Sequence, residues 1–294
     1  NPPIQPAVRT IYPKMVTSKQ LVPLFSLDAS AQEIIWIAGP VLTTFLAIQI
    51  SPPLAIIVAG GFLILGGIWF LTSPEVGSVR IPLSKGKMGT VLRKGPVLLA
   101  TVTGFLLIGA AAATEVAVVS VFGDSGPQAG LVLALWAIAS LIGGLAMGGL
   151  QIGPWALTWR MAIVTAGMAL AMGGTGFWWL VVTLSIAGAG LAPALAVMFA
   201  IVSASVKFSE TAESYGWVGS GQLVGAALGS AIAGFAIDGF GPLGGFATAF
   251  GFSLVGTLVA LGFRRAHPDL RGKDPSPQPD TEPISVIRPA PPVA

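Results

Sequence analysis

The chain has 294 residues, of which 54% are hydrophobic and 9% charged, with 39 Gly, 23 Pro and no Cys. Soluble domains carry about 25% charged residues, so a water-soluble protein is excluded, and the missing cysteines exclude disulfides, thiolate metal sites and cysteine nucleophiles. A single histidine, His267, rules out multi-histidine metal sites, leaving no metal or cofactor to expect, and the net charge of +3 has to be located before it is read as a nucleic-acid signal.

The sequence begins with Asn1, and residues 1–9 lack the basic-then-apolar order of a signal peptide. The start therefore reads as removed or as part of a longer chain. Asn1 is the one asparagine and Pro2 follows it, so no N-glycosylation acceptor occurs.

Crossing a bilayer core takes about 20 mostly apolar residues as helix. Eight stretches qualify: residues 23–49, 54–71, 97–122, 129–150, 155–173, 178–202, 215–237 and 243–263. Helix satisfies the backbone in lipid and barrel-type alternation is absent, so the predicted fold class is all-α, a polytopic membrane helix bundle.

The basic residues sort cleanly onto this map. Arg9, Lys14 and Lys19 precede the first span; Arg80, Lys85, Lys87, Arg93 and Lys94 fall in the second connection; Arg160 and Lys207 mark the fourth and sixth; Arg264, Arg265, Arg271, Lys273 and Arg288 lie in the tail. These are all 15, and the odd-numbered connections have none. Basic residues resist translocation, so both chain ends and the even connections are expected to be cytoplasmic, in a plasma membrane, with the charges as topological anchors toward anionic lipid and no nucleic-acid partner.

The organisation follows. Residues 1–22 form the cytoplasmic end of a preceding helix plus a loop, 23–72 two spans, 73–96 a basic linker, 97–263 a six-helix bundle and 264–294 a Pro-rich tail expected to be disordered. His267 at the root of that tail reads as a solvated side chain. An offset of 86 places Gly130, Val132, Gly143 and Gly148 on Gly216, Val218, Gly229 and Gly234, so the last six spans read as a three-plus-three repeat, a construction of many secondary transporters. Lys85-Gly86-Lys87 faintly suggests a phosphate loop, but the glycine four residues before Gly86 is missing and an ATP site is rejected.

Ionisable residues inside spans are costly and thus functional candidates. On a helical wheel of the first span, Asp28, Gln32, Glu33, Trp36, Pro40, Thr43 and Thr44 share one side, and Leu27, Ile34, Ile35, Ala38, Val41, Leu42 and Phe45 the other. Asp28 is either functional or a solvated helix-start carboxylate; Glu33 is functional or pairs with a cytoplasmic cation. Glu115, in the third span, has no basic residue in any span to pair with. Thr101, Gly104, Ile108, Ala111 and Ala112 around it are mostly small and leave room for a cavity, where a carboxylate could exchange protons; the alternative is a protonated Glu bonded to a neighbouring helix. Gly221, Gly225 and Gly229 recur every four residues, a spacing that lets helices approach closely, and Gln222 beside them is a candidate substrate hydrogen-bonder. Trp178, Trp179, Tyr215 and Trp217 fit interfacial aromatics, and Asp238 a solvated turn.

Six spans after a long basic loop, preceded by two more, resemble the last eight of the twelve spans of the major facilitator superfamily. The segment from Asn1 to Arg9, leading to Tyr12-Pro13-Lys14, is similar to the inner end of that family's fourth span. Gly39-Pro40 resembles its fifth-span exporter motif, with Leu42, Thr43 and Thr44 replacing the usual further glycines, and would act in packing or as a hinge. The loop from Gly149 to Arg160 is a degenerate counterpart of the family's signature loop, without its acidic residue. The resemblance implies a proton-coupled exporter of a small organic molecule, not an enzyme, working by alternating access, with a bacterial location and with four preceding helices packed on this chain. A membrane enzyme acting on lipid-linked substrates would cluster acidic, His or Arg groups at one face, and a non-transporting eight-span protein would need no further helices.

Overall fold

The computed structural model describes residues 4–74, 76, 88–123 and 127–280, with the side chains of 36, 37, 40, 41, 44, 45 and 47–49 outside that description. The readings on Trp36, Pro40 and Thr44, and those on Arg80, Lys85, Lys87 and Arg288, thus lie outside the described residues. Among the described residues the regular structure is helical: α1 (Ile4–Met15), α2 (Ser18–Gln49), α3 (Pro52–Thr72), α4 (Gly95–Phe122), α5 (Gln128–Met147), α6 (Ala156–Ala171), α7 (Phe177–Ser205), α8 (Thr211–Phe240) and α9 (Pro242–Gly262). Each predicted span is one helix, α2 to α9. Six are long and apolar enough to cross a membrane; α6, with 16 residues, is a shorter apolar helix, and α2, with 32, carries Lys19, Asp28 and Glu33.

The ends follow local chemistry. The Ser51 hydroxyl accepts from the Leu54 amide at 3.3 Å and caps α3, and Pro52, Pro96 and Pro242 occupy first turns, where no amide donor is needed. Gly123 and Gly241 take positive φ values of 52° and 66° as α4 and α8 end.

Helices α4 to α9 pack with an internal exchange symmetry. α4 lies on α8 and α9, whereas α7 lies on α5 and α6; α4 also meets α7, and α6 meets α9. Swapping the first three helices for the last three reproduces these pairs. The aligned glycines sit at equivalent points: Gly143 of α5 abuts the backbone of Ala189 on α7, and Gly229 of α8 abuts the backbone of Gly109 on α4. α7 is the centre of the core, buried at every residue from Gly190 to Ser203.

α2 joins this bundle through its first half. Leu21, Phe25, Ser26, Ala29, Ser30 and Glu33 are buried, whereas Ile34, Ile35, Ala38, Gly39, Leu42 and Thr43 are exposed. α3 packs on α2 and buries only Ala55. Gly39, read as a packing or hinge residue, has open space where a side chain would be; among the described residues no helix closes on it.

Several of the described basic residues make contacts at the helix ends. Lys94 pairs with Glu210 at 2.5 Å, the Lys14 ammonium lies 4.8 Å from the Phe208 ring centroid, and the Arg264 guanidinium 4.7 Å from that of Trp155. The tail corrects two expectations. Residues 268–280 are ordered: the Leu270 amide donates to Ile152 O, the Gln278 amide to Val206 O, and the Phe208 amide to Gln278 O, all within 3.0 Å. Asp280 accepts from both the amide and the hydroxyl of Ser209. A Pro-rich stretch cannot form helix, yet its remaining amides and carbonyls find partners on the connections it crosses. His267 is consequently buried, 5% exposed, and not solvated.

Candidate functional site

On α2, Ser26, Ser30 and Glu33 fall at i, i+4 and i+7 and form one stripe facing α5. Gly144 of α5 and Gly148, at its C-terminal cap, accommodate the two serines; a side chain at either would collide with their hydroxyls. The Ser26 hydroxyl donates to Gly144 O. Glu33 ends the stripe at 5% exposure and accepts from the Ser140 hydroxyl at 2.9 Å. Ser140 in turn accepts from the Ala192 amide of α7 at 3.1 Å. One hydroxyl therefore joins three helices, α2, α5 and α7. Pro193 cannot donate to the Ala189 carbonyl, and that carbonyl lies against Gly143, one turn from Ser140.

Glu115 projects from α4 near enough to act electrostatically on Glu33. It is half-buried and has no hydrogen bond or ion pair among the described residues. The ion pairs there are Arg9–Asp28, Lys94–Glu210 and Arg271–Asp269, so neither glutamate has a cation. Three of the small residues expected to border a cavity beside Glu115 are instead packed: Ala111 and Ala112 are buried, and Gly104 receives the Gln222 side chain and Met198. Gln222 Nε2 is buried without a partner. Gly221, Gly225 and Gly229 step along α4 against Thr101, Phe105 and Gly109, which makes them close-packing residues of the α4–α8 pair.

Asp28 has a different setting. Its carboxylate accepts from Arg9 Nε at 2.8 Å and from the Tyr12 hydroxyl at 2.9 Å, both on α1. Gln32 Nε2 reaches back to Asp28 O at 3.3 Å. Arg9 is 2% exposed and lies 3.7 Å over the Phe199 ring of α7; Phe25 and Tyr215 complete an aromatic cluster around it. Asp28 is thus engaged in tying α1 to α2, neither solvated nor free. Tyr215, expected at the interface, is 1% exposed and donates to Phe199 O at 3.1 Å. Trp178 is 73% exposed, and Trp179 donates to Leu170 O.

A sequence model of the Major Facilitator Superfamily matches residues 115–293, more than half of the chain. The chain belongs to the major facilitator superfamily. No curated protein matches it at a significant level. Membership makes it a membrane transporter in general, embedded as a multi-pass helix bundle in a lipid bilayer. In this superfamily member, Ser140 and Arg9 are the site residues that sequence reasoning passed over. Ser140 stands one turn before Gly144 on the face that receives α2, and Arg9 was read only as a topological anchor.

Proposed function

We propose that this chain is the larger part of a secondary active transporter that exports a small organic molecule in exchange for protons by alternating access. The observation that carries the reading is Glu33, buried at the junction of three helices, with Glu115 acting on it electrostatically and no cation paired with either among the described residues. Unpaired carboxylates inside a membrane bundle are costly and persist where they serve a pathway. Glu115 and Glu33 take up and release the proton. Gln32, Trp36 and Gln222 contact the substrate.

In this reading α2 and α3 are remnants of an N-terminal bundle, residues 73–96 the linker and 97–263 the C-terminal bundle. Four preceding helices cover α3 and the open side of Gly39. The basic end is cytoplasmic, in the plasma membrane of a bacterium. Since the buried residues among the described side chains of α2 end at Glu33, the arrangement corresponds to a pathway closed toward the cytoplasm and open to the other side, with Arg9–Asp28 as a clasp of the closed end.

The test is transport by the complete gene product in proteoliposomes, with ethidium as probe and an imposed pH gradient. Gradient-driven ethidium movement should vanish in Glu115→Gln and fall in Glu33→Gln. Movement independent of the gradient and unchanged in Glu115→Gln would sink the coupling. Sequencing the transcript upstream of Asn1 tests the missing helices separately: four further spans support the assignment.

A further inference from the structure

Arg160 contradicts its reading as a lipid-facing anchor. It lies in the first turns of α6 at 2% exposure, with its guanidinium 4.6 Å from the Trp159 ring centroid. NH1 reaches back to Ala156 O at 3.3 Å, which holds the charge over the helix N-terminus. Nε has no partner, and no carboxylate among the described residues pairs with the group. This is a cation where the helix dipole already supplies positive potential, buried without a counter-ion. An uncompensated buried charge costs several kcal/mol.

The surroundings add to the imbalance. His267 interacts electrostatically with Arg160; its Nδ1 donates to Pro268 O at 2.8 Å, and its Nε2 is buried without a partner. Arg264 covers Trp155, immediately before α6, with no ion pair among the described residues. Arg271 lies against Gly153 in the connection leading to α6, and it alone is neutralised, by Asp269. The tail contact from Leu270 to Ile152 fixes His267 and Arg271 beside this turn.

We propose that the α5–α6 connection and the tail form an anion site, in which Arg160, the first turn of α6 and His267 hold a phosphate group. A phosphate monoester, a phosphodiester headgroup and free phosphate share the required chemistry: oxygens that accept from a guanidinium and from helix amides. A ring proton on Nε2 completes the set when His267 is cationic. The site shares no residue with the Glu33 and Glu115 pair and does not depend on their role.

Trp155 and Trp159 supply a local signal. The purified chain in detergent is titrated with inorganic phosphate in one arm and with phosphatidylglycerol in the other, against phosphatidylcholine, while tryptophan fluorescence and the unfolding temperature are read. Saturable change and a rise in unfolding temperature are expected in at least one arm. A response to phosphatidylglycerol alone assigns the site to a lipid headgroup; a response to inorganic phosphate as well assigns it to any phosphate. Arg160→Met, which removes the buried charge at similar volume, should fold without added anion and bind about tenfold more weakly or worse. His267→Gln, which leaves Arg160 in place, should weaken binding by a smaller factor and serves should Arg160→Met fail to fold. No response in either arm, or equal responses in wild type and both variants, overturns the proposal.

Discussion

The Ser140 hydroxyl donates to the Glu33 carboxylate at 2.9 Å across the α2–α5 interface. Because Ser140 also receives the Ala192 amide, its removal strands two groups at once. Ser140→Ala should lower stability by about 1–3 kcal/mol, the cost of leaving buried polar groups unmade. Adding Glu33→Gln should produce little further loss. Thermal unfolding of the two single variants and the double variant in detergent checks this, and strictly additive losses would show that the bond is not felt.

Close approach of α4 and α8 gives a sharper contrast. A methyl group at Gly229 would overlap the Gly109 carbonyl, whereas Gly234 has open space. Gly229→Ala should therefore destabilise by about 1–3 kcal/mol. Gly234→Ala should be neutral or stabilise by up to about 1 kcal/mol through helix propensity. Unfolding temperatures of the two variants, compared side by side, decide it.

Arg9 and Asp28 should behave as a unit. Arg9→Met alone leaves a largely buried carboxylate and Asp28→Asn alone leaves a buried guanidinium, so each should cost about 3 kcal/mol. The double variant should recover most of that loss. Limited proteolysis between α1 and α2 reports the release: cleavage should quicken in the single variants and slow again in the double one.

Docking of the tail should depend on pH through His267. Burial holds this imidazole below its ordinary value of 6.5, reinforced by the Arg160 charge and opposed by the Pro268 carbonyl and Asp269. With the folded value depressed, the unfolded segment takes up a proton first as pH falls. The docked tail is then fully stable above about 6.5 and loses stability below it. Hydrogen exchange at Leu270 and Gln278, corrected for intrinsic rates, should quicken on acidification in wild type and stay level in His267→Gln.

The helices and the polar side of α2 were legible because periodicity and length survive any packing arrangement. Leu27, Ile34, Ile35 and Leu42 are exposed, as the wheel indicates, and Glu33 is buried on the other side. The Arg9–Asp28 pair was not legible, since it depends on α1 folding back over α2 across 19 positions. Arg160 and His267 were misread because composition describes what a Pro-rich tail cannot form and says nothing about which free carbonyls it will meet. The serines of the α2–α5 seam are chemically ordinary; only opposing glycines give them a role.

The seating of α2 has a mechanical side. Glu33 is the last buried residue among the described side chains of α2, and Gln49 ends the helix, so the part of α2 beyond it is a rod about 24 Å long. Tilting that rod by about 5° around Glu33 sweeps its tip through about 2 Å, while the serine–glycine seam below moves far less. Geometry thus makes Glu33 a fulcrum: the carboxylate sits where displacement is smallest, so a change in its bonding is amplified along that arm.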